Sequence, residues 1–279
     1  MDSLYALQNY INTFSFHELG AANSFYVPLT GTFIYLAVIF GLRQVVQRPM
    51  KLHLVTAIHN LFLCLLSLAM AVGIIYNLIP IYQSSDLLTA YCGKAGPIEP
   101  GSIVHDRGAM NFWCAVFYFS KYYEMLDTVL LVLKKRPLTL VHVYHHFIVP
   151  YLFWGFLHTE TSGQWSLAAA NSLVHVFMYY YYMITTLGYT VWWKQYLTMM
   201  QIVQFFFDLF VTWPHLLFLR AFNIHECRGS MNTVYFGQTV GISFVYLFTE
   251  FYVKSYGIAE AAKIKAATEE AASRKRKEA

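Results

Sequence analysis

Seven mostly apolar stretches, at roughly 25–46, 53–80, 110–133, 138–157, 164–187, 196–219 and 231–253, decide what this chain can become. Each is about the 20 residues that a helix needs to cross the hydrocarbon core of a bilayer. Short polar breaks separate them: Arg48-Pro49-Met50-Lys51, a long loop at 83–107, Lys134-Lys135-Arg136-Pro137, Glu160-Thr161-Ser162-Gly163, Gly188 to Lys194, and 220–230. Pro137 and Gly188 are ordinary helix boundaries. No internal repeat and no second soluble domain is visible. The reading is an all-α polytopic membrane protein of seven transmembrane helices in one bundle. Composition agrees, because 12% of the 279 residues are charged, about half the share in a soluble domain. That excludes an ordinary cytosolic enzyme and a disordered protein. A net charge of +4 is too small to imply nucleic acid as a partner.

Orientation follows from the basic residues, which gather on the cytosolic side. With a cytosolic C-terminus, seven spans put the N-terminus in the lumen. Fourteen of the 19 Lys and Arg residues then face the cytosol, among them Lys134, Lys135, Arg136, Lys194 and Lys254. Four face the lumen (Lys94, Arg107, Arg220, Arg228), and Lys121 falls inside a span. No cleavable signal peptide is expected, since Asp2 occupies the usual basic region and the first positive charge is Arg43. Cys92 and Cys227 land in lumenal loops, where a disulfide persists. They are expected to pair, the alternative being two free thiols. Lys275 and Lys277 stand fifth and third from the end. They match a dilysine signal for return to the endoplasmic reticulum, or are simply part of a solvated charged tail.

Ionisable side chains inside spans are functional candidates by default. Here they fall in stripes. The third span carries Lys121, Glu124 and Asp127 at i, i+3, i+6, followed by Thr128. The fourth opens with His142, His145 and His146 on one helix face; the fifth aligns Asn171, His175, Met178, Tyr179 and Tyr182. In the sixth, Thr198, Gln201 and Gln204 repeat every three residues, with Asp208 a turn further on. At about 1.5 Å per residue, these stripes converge in the cytosolic half of one bundle. They describe a buried polar chamber reached from the cytosol.

A H-x-x-H-H box has two chemical readings. Desaturases and hydroxylases hold two irons with histidine boxes, and imidazole suits iron. This chain offers one box plus His175, while His53, His59, His158 and His215 stand singly, too few for such a centre. The other reading is nucleophilic and acid–base catalysis, in which a neutral imidazole attacks a thioester and nearby groups exchange protons. Cys114 is a rival nucleophile, although it lies two turns from Lys121 and far from the box. A lipid receptor or transporter is a further class, but no Gly- or Pro-broken midplane helices or inverted repeats point to transport.

Four motifs resemble those of the fatty-acid elongase (ELO/ELOVL) family in order and spacing. They are Lys121-Tyr-Tyr-Glu124-Met-Leu-Asp127-Thr128, His142-Val-Tyr-His145-His146, Asn171-x-x-x-His175-x-x-Met178-Tyr179-x-Tyr181-Tyr182 and Thr198-x-x-Gln201-x-x-Gln204. The resemblance implies a very-long-chain 3-oxoacyl-CoA synthase of the endoplasmic reticulum membrane. Such an enzyme joins a long-chain acyl-CoA to malonyl-CoA and releases CO2 and CoA. It further implies six helices forming a barrel around an acyl tunnel, with one helix peripheral. No metal and no other cofactor is implied; partner reductases and a dehydratase complete the cycle. On this reading residues 1–24 are a lumenal segment, 25–256 the seven-helix elongase domain and 257–279 a cytosolic tail. Oligomeric state, homo- or hetero-, is left open.

Within that frame His145 is the expected nucleophile, with His142 and His146 as rivals and a non-covalent ternary complex as the alternative mechanism. His175 contacts the thioester or the malonyl-derived enolate, or is a hydrogen-bonded core histidine. Lys121 pairs with Glu124 or meets a malonyl carboxylate. Asp127 orients a box histidine, or the acidic and basic groups are structural pairs. Thr128, Asn171, Met178, Tyr179, Tyr182, Gln201 and Gln204 line the substrate chamber. Lys194 and Lys254 attract the CoA phosphates at its mouth, or anchor the cytosolic side.

Overall fold

The computed structural model describes residues 2–92, 108–221 and 227–257 and, among them, is all-helical. Its ten α-helices are α1 (Asp2–Asn12), α2 (Tyr26–Val45), α3 (His53–Ser84), α4 (Leu87–Cys92), α5 (Gly108–Glu124), α6 (Leu126–Leu133), α7 (Leu140–His158), α8 (Gln164–Thr186), α9 (Lys194–Ala221) and α10 (Met231–Tyr252). Each apolar stretch became a helix within a few residues of its expected ends, apart from the third. There Met125 interrupts the helix, so that α5 and α6 follow one another across a single helically disposed residue. Three helices, α2, α3 and α7, are long and apolar enough to cross a membrane. The others are diluted by Tyr, Gln, Asn and Thr, or are shortened by the break at Met125.

Local chemistry sets the ends. Val46 leaves α2 in an extended conformation two residues before Arg48-Pro49. Thr139 caps α7, its hydroxyl accepting the His142 N–H at 3.3 Å, which satisfies a donor that the first turn leaves free. Gly163, before α8, holds φ at 82°, and a Cβ there would stand 3.1 Å from the Tyr91 ring. Glycine meets both conditions without strain.

The packing runs in a cycle: α3 lies on α8, α8 on α9, α9 on α10, α10 on α7, α7 on α5 and α5 back on α3. Helix α2 stands aside, against α6 and α7. The largest apolar cluster fills the interior with Phe117, Tyr118, Phe153, Phe156 and Trp165. The N-terminal segment adds what the apolar pattern did not reveal. After α1, a 3-10 turn (Phe16–Asn23) sends Phe16 into the core, edge-on to Tyr118 at 5.7 Å. The chain passes so close to α5 that a Cβ on Gly108 would lie 1.9 Å from the Asn12 carbonyl oxygen.

One end of the bundle is tied shut. Cys92 and Cys227 form a disulfide there. Ser162 Oγ donates to the Cys92 and Arg228 carbonyls at 2.8 and 2.9 Å, and Arg228 pairs with Glu160 at 2.9 Å. Three connections are thereby joined at this end. Lys275 and Lys277 lie outside the described residues, as does Lys94 in the long loop.

Candidate active site

Depth in the bundle comes from helix geometry, and the chemistry from which faces turn inward. On α5, Lys121 and Glu124 are one turn apart and almost wholly buried, at 2% and 1% exposure. An isolated charge at that depth is costly. Lys121 Nζ lies 2.8 and 3.1 Å from the two Glu124 carboxylate oxygens and 3.2 Å from Asn171 Oδ1. It also stands 4.0 Å over the Phe117 ring. Ser120 Oγ donates to Glu124 Oε1 at 3.0 Å, and His175 Nδ1 comes within 3.7 Å of Oε2.

Asp127, on α6, uses both oxygens. Oδ1 meets His59 Nε2 at 2.7 Å and Oδ2 accepts from the Tyr179 hydroxyl at 2.9 Å. Neither partner belongs to the histidine box that Asp127 was expected to orient. That task falls to Thr128, whose hydroxyl lies 2.9 Å from both His142 Nε2 and the Tyr35 hydroxyl. His142 and His146 rings sit 4.5 Å apart, His145 and His146 5.3 Å, and His145 and His175 6.3 Å. Four imidazoles from α7 and α8 thus share one small volume.

That volume is a cavity of about 200 Å³. Its wall includes Glu124, Asp127, all three box histidines, Asn171, His175, Met178, Tyr179, Tyr182, Thr198, Gln201 and Gln204. Gln201 Nε2 reaches the Met178 sulfur at 3.6 Å. Lys194 lines the same cavity, on the side away from the disulfide. Lys254 does not. It faces outward from the α10 end, 2.5 Å from Glu250, whose carboxylate raises the lysine's pKa. Burial, then the neighbouring Arg136, pushes Lys134 down.

A second, narrower chamber of about 50 Å³ continues toward the disulfide end. Its wall is mainly Val149, Leu152, Phe153, Phe156, Leu167 and Phe244, with Asp208 and Thr212 as polar exceptions. His145, Asn171, Gln204 and Phe205 border both chambers. A polar pocket opening into an apolar sleeve suits a molecule with a reactive polar head and a hydrocarbon tail. Cys114 is fully buried in the apolar cluster and lines neither chamber.

Three contributors escaped the sequence pattern. His59 from α3 is 7% exposed and stacks on Tyr123 at 5.2 Å. Its signal was present, an ionisable residue beside Asn60 in an apolar run, but it has no periodic partner. Tyr35 and Ser120 gave no signal, since single hydroxyls are common in such helices.

The ELO family (GNS1/SUR4) profile matches residues 21–265. Fatty acid elongase A of Dictyostelium discoideum is 38% identical over 244 residues, covering 86% of each chain. Fatty acid elongase sre1 of the same organism is 34% identical over 237 residues, 84% of this chain and 85% of its own. Very long chain fatty acid elongase 7 of Drosophila melanogaster is 30% identical over 244 residues, 82% of this chain and 68% of its own.

Proposed function

The chain belongs to the ELO family and is a fatty acid elongase, a membrane-bound acyltransferase of the 3-oxoacyl-CoA synthase type; from that premise we propose how its residues carry the condensation. His145 attacks the acyl-CoA thioester. A ring nitrogen bonds the carbonyl carbon, the C–S bond breaks, and the CoA thiolate takes a proton from the other ring nitrogen. The acyl chain, now held as an acyl-imidazole, lies in the apolar chamber. Malonyl-CoA then enters the polar chamber and loses CO2, and the electron pair left behind forms an enolate. That enolate attacks the acyl carbon and expels imidazolate, which takes up a proton. The product is a 3-oxoacyl-CoA two carbons longer.

One observation carries this reading. His145 alone among the box histidines borders both chambers, so an acyl group bonded to it meets the apolar sleeve and the polar pocket at once. His142 is held by Thr128, and His146 packs beside Tyr35 with a 6.4 Å ring separation. They complete a histidine cluster suited to proton exchange. His175, beside Glu124, faces the enolate. Lys121 is the local counter-charge that lets Glu124 sit at this depth, and Lys194 meets the CoA phosphates at the mouth.

The cyclic packing of α3, α8, α9, α10, α7 and α5 supports a six-helix barrel with α2 peripheral, within an elongase domain of residues 25–256. The disulfide supports a lumenal location for the closed end, and with it a lumenal N-terminus and a cytosolic C-terminus. In the endoplasmic reticulum this enzyme hands its product to reductases and a dehydratase.

The test uses purified enzyme and acyl-CoA without malonyl-CoA. Wild type should release CoA stoichiometrically and gain one acyl mass on the α7 peptide. His145→Ala should do neither. Condensation without any adduct would favour a non-covalent ternary complex.

A further inference from the structure

One chain of hydrogen bonds through the bundle has its direction fixed at its head. Lys121 can only donate, and it meets Asn171 Oδ1 at 3.2 Å. Asn171 must therefore turn Nδ2 to its next partner, Gln204 Oε1, at 3.3 Å. Gln204 in turn presents Nε2 to Asp208 Oδ2 at 2.7 Å. Amide orientations are assigned from such networks, and here the donor-only head sets the direction of each link after it. The chain links α5, α8 and α9.

A primary amide carries two N–H groups, and the chain consumes one from each. One N–H of Asn171 and one of Gln204 are left, on side chains that border both chambers beside His145. Asp208 stands deeper and lines the apolar chamber only, with Oδ1 buried and unpartnered. A carboxylate in such a wall is costly, and its presence calls for a function. None of the four motifs contains it.

Resting on the acyl-transfer reading above, we propose that the leftover amide N–H groups of Asn171 and Gln204 receive the thioester oxygen as the carbon becomes tetrahedral. Asp208 is the positioning residue that keeps Gln204 turned to donate. When the imidazole nitrogen bonds the carbonyl carbon, the C=O π pair moves onto oxygen. It returns as the C–S bond breaks and CoA leaves as thiolate. Donors aimed in advance at that oxygen lower the barrier without reorganising. Without Asp208, the Gln204 amide is free to rotate and offer its carbonyl oxygen, which repels the developing charge.

Three variants separate this from a merely structural role. Asp208→Leu removes the acceptor oxygen, whereas Asp208→Asn keeps one and should recover most of the kcat that Asp208→Leu loses. The third combines Gln204→Glu with Asp208→Asn. It preserves the formal charge and every hydrogen bond of the chain, because the new carboxylate accepts from Asn171 and from the amide introduced at 208. It deletes the N–H donor at 204 and moves the carboxylate one turn closer to His145, which also opposes a developing oxyanion. Both Asp208→Leu and the swap should lower kcat roughly 100-fold, the usual loss for one oxyanion donor. KM for malonyl-CoA should stay unchanged in Asp208→Leu, and the swap should unfold at the wild-type temperature.

A folded swap with wild-type kcat would overturn the inference, and so would equal losses in D208L and D208N. If the swap does not fold, the contrast between D208L and D208N decides alone. Wild type that neither condenses nor releases CoA would instead reject the acyl-transfer reading. Wild type that condenses without releasing CoA from acyl-CoA alone would reject the acyl-imidazole, while the kcat values still decide the role of Asp208.

Discussion

The Lys121–Glu124 pair gives the sharpest quantitative expectation. Both side chains are shut off from solvent, at 2% and 1% exposure, so removing one partner strands the other. Breaking a buried pair costs about 3–5 kcal/mol, because an uncompensated charge remains. The surroundings make the two losses unequal. Without Glu124, Lys121 keeps Asn171 Oδ1 and the Phe117 ring face. A desolvated cation–π contact is worth about 2 kcal/mol or more, which offsets part of the loss. Without Lys121, Glu124 keeps the single Ser120 donor at 3.0 Å and a histidine 3.7 Å away. Lys121→Met should therefore destabilise more than Glu124→Gln, near the upper and lower ends of that range respectively. At about 2–4 °C per kcal/mol for a chain approaching this size, the single variants should lose on the order of 6–20 °C in Tm. The double variant Lys121→Met/Glu124→Leu buries no charge and should lose much less than the two single losses together. Thermal unfolding in detergent micelles, run as a double-mutant cycle, measures the coupling. Additive losses, or single variants that melt with wild type, would refute the argument that the charges are held by each other.

The disulfide predicts thiol counts: denatured protein should label at two cysteines (Cys64, Cys114) before reduction and at four after it, and Cys92→Ser should lower Tm by an amount equivalent to about 2–5 kcal/mol. His59→Leu should weaken turnover by leaving Asp127 Oδ1 buried without its partner, a loss of about 1–3 kcal/mol for that contact. His59→Asn, which retains a donor, should recover part of the activity in the same condensation assay, and equal losses would show that the ring only fills space. Gly108→Val should shift the N-terminal segment off α5, because its Cβ would lie 1.9 Å from a backbone oxygen that has no flexible side chain to move. Faster proteolysis ahead of residue 26, with condensation retained, is the expected result.

Periodicity made much of this legible. Apolar runs of sufficient length marked α2, α3 and α7 to α10, and the polar stripes on α5 to α9 named most of the cavity wall. What stayed hidden depends on how helices meet. Asp127 was read as orienting a box histidine, as carboxylates around histidine sites commonly do, yet α6 turns its carboxylate toward α3 and α8, where His59 and Tyr179 wait. The crossing of helices, not residue spacing, selects those partners. Lys254 illustrates the converse. Counting from the cytosolic side placed it at the mouth, but the π turn at Val253–Gly257 points it outward to Glu250. The N-terminal plug carried no long apolar run at all, only Phe14 and Phe16 at the alternate positions that reach the core.

The two chambers differ in character, one mainly polar and one mainly apolar. Helix α9 carries the change of environment along its own length. Thr198 and Gln201 line the first chamber alone, Gln204 and Phe205 line both, and Leu209 and Thr212 line only the second. On the proposed acyl-transfer reading, this single helix face marks where the reactive head ends and the tail begins, and His145 borders both chambers at that boundary.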